Sequence, residues 1–298
     1  MMDFIFNTIV WNPSISPFSI FGFEVRYYSL CWVIALLSSY YVVKMTYKKS
    51  GVGEDKFEPL FMYCFIGILI GARLGHCLFY EPEYYLSNPI EMLLPIRNTA
   101  NGWVFRGYEG LASHGGVIGV ITALILYTRK TKLTMVWTLD HIAVAAPLFS
   151  TFVRFGNFMN SEIIGNVTDA PWGVVFVQAG ETVPRHPAQL YEALAYLVIF
   201  LVGLLLYRKF NNRMGKGLFL GYCLFTIFTF RFFVEFIKEE QVAFEEGMTL
   251  IMGQWLSIPF VLLGIGLLIY SFVKKQPAEI VHPQKPKQKP TGYAKSLA

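Results

Sequence analysis

FIGILIGARLGHCLFY, Phe65 to Tyr80, decides what kind of molecule this is. Apolar side chains fill it, and glycines recur every fourth residue at Gly67, Gly71 and Gly75. Such a stripe of small residues lets a second helix approach closely inside a bilayer. One arginine, Arg73, stands off the glycine face, with His76 one turn further on. Followed back to Phe57, the apolar run exceeds the roughly 20 residues a helix needs to cross a membrane.

The rest of the chain repeats the pattern. Of 298 residues, 54% are apolar and only 15% charged, where a soluble domain carries about a quarter charged residues. Aromatics reach 17%, in keeping with interfacial belts of Trp and Tyr. Seven apolar stretches are long enough to span, near residues 27–45, 57–79, 112–128, 135–153, 188–207, 216–237 and 250–273. Their length and continuity predict helices, not a barrel. Asp140 and His141 interrupt the fourth stretch and make it the weakest of the seven. The N-terminal stretch has no basic region and carries Pro13 and Pro17, so residues 1–26 are expected to lie on one membrane face. Cys31, Cys64, Cys77 and Cys223 sit inside apolar runs without zinc-ligand or CxxC spacing, as small core side chains do.

Charge sets the orientation. Lys44, Lys48, Lys49 and Lys56 flank the first turn-around; Arg129, Lys130 and Lys132 follow the third stretch; Arg208, Lys209, Arg213 and Lys216 follow the fifth. Lys274, Lys275, Lys285, Lys287, Lys289 and Lys295 lie in the tail. With seven spans, these seventeen of the twenty-five basic residues share one side. The positive-inside rule makes that side cytoplasmic and puts the N-terminus outside. The expected architecture is therefore an all-α integral membrane protein with seven transmembrane helices in one domain, 27–273. Two outer segments, about 80–110 and 154–187, form an arm and a cap. A basic tail, 274–298, is rich in Lys, Pro and Gln and reads as disordered.

Eight cations oppose that rule: Arg26, Arg73, Arg97, Arg106, Arg154, Arg185, Arg231 and Lys238. Topology does not account for them, and an ionisable group at membrane depth costs about 2.5–3.5 kcal/mol to insert unless a cavity or partner receives it. Arginine's planar fork suits a phosphate or carboxylate. Four segments surround these residues with further chemistry. SHGGVIG, Ser113 to Gly119, starts the third span with His114 before two glycines. Backbone there is open to a substrate, and an imidazole exchanges protons near neutral pH. RFGNFMNSEIIG gathers Arg154, Asn157, Asn160 and Glu162 before Gly165, a density that suggests the lip of a site. RHPAQLYEA opens the fifth span with Arg185 and with Pro187 in the first turn; Gln189 and Glu192 share a face. Arg231 and Glu235 stand at i, i+4 near the end of the sixth span. HExxH, GxSxG, Walker and metal-ligand patterns are absent, so neither metal nor cofactor is expected.

In this order, GARLGHCLFY, SHGGVIG, RFGNFMNSEIIG, RHPAQLYEA and RFFVEF make the chain resemble the prolipoprotein diacylglyceryl transferases from about Tyr28 to Val273. The resemblance implies phosphatidylglycerol as donor and the lipobox cysteine of a prolipoprotein signal peptide as acceptor. A thioether forms and glycerol phosphate leaves. It implies an active site on the outer side of a bacterial inner membrane, with membrane lipid and no nucleic acid as partners. Nothing calls for more than a monomer. By motif, His114 matches the family's essential histidine, and Arg154, Asn157 and Gly165 match its signature. Arg231 matches the arginine of the sixth span, and Tyr28 an early functional tyrosine. Arg154 and Arg231 are expected to clamp phosphate and His114 to act as base. Arg73, Asn160, Glu162, Arg185 and Glu235 complete the expected substrate site. Val153 stands where the family often has glycine, and Ile227 where some members have tyrosine. A transporter would show inverted repeats and midplane polar groups; here the polar groups gather toward one face.

Overall fold

The structure is a computed structural model, which describes residues 9–20, 23–99, 102–105, 110–239 and 248–273. Arg106 and the tail lysines lie outside the described residues.

All seven expected stretches are helical. They form α1 (Tyr27–Lys49), α2 (Glu54–Phe79), α5 (Ser113–Thr131), α6 (Met135–Met159), α7 (Ala188–Phe210), α8 (Leu218–Val234) and α9 (Met252–Val273). Six of them, α1, α2, α6, α7, α8 and α9, are long and apolar enough to cross a membrane. The seventh, α5, is not among the six. A polar start at His114 and the pair Arg129–Lys130 near its end leave it a shorter apolar middle. Side chains turned away from the bundle are apolar, including Val33, Leu37, Ile70, Ile121, Leu201 and Leu262. That inside-out pattern suits a lipid solvent, not water.

Glycines make the α2–α5 contact. A Cβ added to Gly67 would meet Gly119 O and Ala123 Cβ at 2.7 Å, and one on Gly75 would meet Gly115 Cα at 2.7 Å. Gly71 and Gly115 approach each other's backbone in the same way. Only the absence of side chains lets the two backbones lie this close.

The interrupting residues of α6 are fully buried and satisfied. Asp140 accepts N–H groups of Gly215 (2.8 Å), Gly217 (2.9 Å) and Leu220 (2.8 Å), which closes the turn from α7 to α8. His141 Nδ1 lies 2.8 Å from Thr46 Oγ1. Ser50 Oγ lies 3.4 Å from His141 Nε2, and Arg213 donates to Ser271 O at 2.6 Å. The basic connections 49–53 and 210–217 and the end of α9 thus meet at one end of the bundle.

At the opposite end two small substructures cover the helix ends. The first contains α3 (Pro82–Ser87), α4 (Pro89–Leu93) and the antiparallel hairpin β4 (Ile96–Thr99) with β5 (Gly102–Phe105). In the second, β1 (Ile9–Trp11) runs parallel to β6 (Val174–Phe176), and β2 (Phe18–Ile20) pairs with β3 (Phe23–Val25). Trp11 packs at a tilt against Phe158, ring centres 4.4 Å apart, and donates to its carbonyl, tying the N-terminal strand to the end of α6.

Candidate active site

The site begins where α6 ends. Arg154 and Asn157 are three residues apart and share a helix face, so Arg154 Nη1 reaches Asn157 Oδ1 at 3.3 Å. Beyond Met159 the chain turns sharply, with Ser161 at φ 55° and Ile163 at φ 60°. A β-branched residue in the left-handed region costs about 1–3 kcal/mol and persists only where its surroundings impose it. Glu162 is held there by two amides, Asn157 Nδ2 at 3.3 Å and Asn160 Nδ2 at 2.6 Å, while its backbone N–H bonds Asn157 O. Gln189 Nε2 donates to Glu162 O at 2.6 Å.

From Arg154 a line of alternating charge crosses three elements. Arg154 Nε lies 3.1 Å from Glu192 Oε2, and Lys238 Nζ lies 3.2 Å from the same oxygen. Lys238 Nζ also donates to Glu235 Oε1 at 3.1 Å, and Arg231 Nε lies 3.4 Å from that oxygen. Side-chain exposure is 0% for Glu192, 3% for Lys238 and 36% for Arg231. Three of these four contacts are ion pairs by distance and not hydrogen bonds by direction; only Lys238 to Glu235 is both. Glu192 Oε2 and Arg231 Nε are buried, and neither has a directed partner. The arginines are therefore attracted to the carboxylates without spending their forks on them.

Gly165 makes the line possible. It pairs with Lys238 as an isolated antiparallel bridge, and its N–H donates to His186 O at 2.9 Å. A Cβ there would lie 2.6 Å from His186 Cβ and 2.7 Å from Ile237 O. Only glycine lets the strand carrying Arg185 and His186 and the one carrying Lys238 lie together.

Arg154, Asn157 and Arg231, with Ser150 and with Tyr196 from α7, supply the polar groups lining a cavity of about 550 Å³ between α6 and α8. Its apolar wall runs from Leu139 to Val153 on α6 and from Leu220 to Phe228 on α8. From Leu139 to Asn157 the groove follows α6 for about 27 Å at 1.5 Å per residue. An apolar trough ending in two guanidinium groups fits an anionic amphiphile. A second concavity, about 570 Å³ over the α2–α5 glycines, has an almost wholly apolar lining and no arginine.

The family model for prolipoprotein diacylglyceryl transferase matches residues 16–270. The chain belongs to this transferase family. A Bacteroides fragilis protein named phosphatidylglycerol--prolipoprotein diacylglyceryl transferase is 54% identical over 275 residues, covering 92% of this chain and 99% of its own length. Proteins of the same name from Tolumonas auensis and Porphyromonas gingivalis are 41% and 40% identical, over 90% and 88% of this chain and 99% and 94% of their own lengths.

Of the residues expected in the transferase site, the structure brings together Arg154, Asn157, Asn160, Glu162, Arg231 and Glu235. Gly165 supports them from behind. Tyr28, on α1, packs its ring against Gly156, next to that cluster in sequence. The others lie apart. Arg73 is buried, but it donates to Glu91 O at 2.6 Å and Met92 O at 3.2 Å, and faces the Tyr85 ring at 4.7 Å. It anchors α4 to α2. Arg185 binds Glu181 at 2.8 Å and Glu239 at 2.9 Å, tying the β6 region to the segment after Lys238. His114 is exposed in the first turn of α5 and does not line the arginine cavity.

Three side chains joined to this cluster belong to no role that the transferase motifs imply. Glu192 was visible only as a partner of Gln189 on a helix face, and Lys238 only as an unexplained cation. Tyr196 lies outside every quoted motif, although its i, i+4 spacing from Glu192 is a usable signal. Ile227 lines the cavity one turn before Arg231 and presents no polar atom to it.

Proposed function

We propose that this chain transfers the diacylglyceryl group of phosphatidylglycerol to the lipobox cysteine thiol of prolipoproteins. The observation that carries the reading is the pair Arg154 and Arg231 at the polar end of an apolar cavity about 550 Å³ in volume. Acyl chains would lie along α6 and α8, and the phosphate would meet the two forks. The sulfur–carbon bond forms as the carbon–oxygen bond to phosphate breaks, and glycerol phosphate leaves with the electron pair. Charge building on that phosphate is stabilised most strongly where water is excluded. A thiol of ordinary pKa, about 8.5, must lose its proton to attack. We assign that proton to His114, which places the acceptor between the ends of α5 and α6.

The same reading makes α5 a seventh span. It faces the N-terminus and the arginine cluster outward across a bacterial inner membrane, with residues 1–26 and the two small substructures on the outer face. Support comes from the basic connections meeting at the other end of the bundle. The chain would act as a monomer, and residues 274–298 would form a cytoplasmic tail.

The test is to incubate purified chain with phosphatidylglycerol and a lipobox peptide. Glycerol phosphate and a lipid-shifted peptide should appear together, and phosphatidylethanolamine should give neither. Equal turnover of both lipids, or no modified peptide, would overturn the reading.

A further inference from the structure

Glu192 is fully buried between two cations, yet among the described residues it has one directed hydrogen bond. The donor is Tyr196 Oη, 3.1 Å from Glu192 Oε1 and one turn further along α7. Tyr196 is itself 3% exposed, and it lines the cavity that holds Arg154 and Arg231. The phenol ring lies edge-on to Phe230 at 6.3 Å, so packing as well as the hydrogen bond holds the hydroxyl in place.

A carboxylate has two oxygens, and which one faces the cations depends on its rotation. With Oε1 fixed by Tyr196, Oε2 lies 3.1 Å from Arg154 Nε and 3.2 Å from Lys238 Nζ. Neither N–H is aligned on it. The pairing is thus strong in charge and weak in direction: it holds Arg154 at the cavity while leaving the donors not taken by Asn157 for another acceptor. Without the hydroxyl, a fully buried oxygen loses its only directed partner. The carboxylate then gains by rotating toward Arg154 and taking up the fork.

We infer that Tyr196 is a positioning residue: by fixing Glu192, it keeps the Arg154 fork available to the lipid phosphate. The inference rests on the proposed function and adds a residue that lies outside the five quoted motif segments.

Tyr196→Phe removes one oxygen and little else. In the full chain it should raise KM for phosphatidylglycerol about tenfold, the scale of a lost hydrogen bond to a charged group. KM for the lipobox peptide should stay as it was. A role in folding alone would reduce active enzyme without moving either KM. Because Tyr196 acts through Glu192, Tyr196→Phe should add nothing in a Glu192→Gln background. An unchanged lipid KM, equal shifts for both substrates, or additive effects would overturn the assignment. Retention of phosphatidylglycerol by the detergent-solubilised chain, followed by native mass spectrometry, reads the clamp without turnover. An inactive wild type would therefore sink the proposed reaction, and unchanged lipid retention in Tyr196→Phe would sink this inference.

Discussion

Lys238 Nζ lies 3.2 Å from Glu192 Oε2, a contact between two buried side chains that joins the segment after α8 to α7. The same ammonium holds Glu235 at 3.1 Å, so one cation bridges the two carboxylates that Arg154 and Arg231 also approach. Replacing it by an apolar side chain strands both acids in a buried site. Lys238→Met should lower stability by about 3–5 kcal/mol, the scale for breaking a buried ion pair from one side. Lys238→Arg should recover most of it. Thermal unfolding in detergent checks both, and a Lys238→Met melting point equal to wild type would show that the contact carries no weight.

Arg154→Lys keeps the charge and loses the fork. Arg154 uses Nη1 for Asn157 and approaches Glu192 through Nε, and an ammonium cannot do both and still grip a phosphate from two sides. Transfer should fall roughly a hundredfold, as when one preorganised donor is removed from a developing charge. Full activity with the same phosphatidylglycerol dependence would remove Arg154 from the clamp.

Much of this was open to inspection in the sequence, and the rest was closed for a physical reason. Span lengths and the ladder at Gly67, Gly71 and Gly75 are local, so periodicity alone finds them. Arg154 with Asn157, and Arg231 with Glu235, are helical neighbours and equally legible. Asp140 looked like an interruption because its three donors, at Gly215, Gly217 and Leu220, come from a distant turn. Lys238 could not be joined to Glu192 from spacing, since their meeting depends on a backbone bridge at Gly165. Arg73 shows the converse: an arginine in an apolar run signals a partner, and spacing alone does not show that two backbone carbonyls of α4 are among its partners.

The glycine ladder predicts a sharp contrast between two substitutions of the same kind. An alanine Cβ at Gly71 would lie 2.8 Å from Gly119 Cα, and backbone cannot step aside. Gly71→Ala should therefore destabilise the chain by about 1–3 kcal/mol, as overpacking does. Gly266 on α9 has nothing within 4 Å of the same atom, so Gly266→Ala should be neutral or slightly stabilising. Equal melting points for the two variants would mean that α2 and α5 do not pack through these glycines.

Acid should loosen the α3–α4 substructure first. Tyr84 Oη donates to Glu91 Oε2 at 2.6 Å and the Asn98 N–H to Oε1 at 2.9 Å, and these bonds, the tyrosine's foremost, hold the Glu91 carboxyl below its ordinary range. A group with a depressed folded pKa stabilises fully above its unfolded value, about 4.3 for glutamate. That stability disappears as pH falls through the lower folded value. Protease cleavage within 80–105 should therefore rise on acidification below about pH 4.3. Glu91→Gln, which cannot titrate, should flatten that dependence. Identical pH profiles for the two proteins would remove Glu91 from the account.

His114 offers the cleanest test of the proton route. It stands exposed in the first turn of α5, and the arginine cavity does not include it. If its task is to take the thiol proton, the task becomes unnecessary once solvent does it. His114→Asn should bind phosphatidylglycerol normally and turn over poorly near pH 7. Its rate should then climb as pH approaches the ordinary thiol pKa of about 8.5. Each pH unit below that value should bring about a tenfold gain, because the thiolate fraction grows in that proportion. A wild-type rate at pH 7, or a deficit that persists unchanged at pH 9, would leave His114 without the base role.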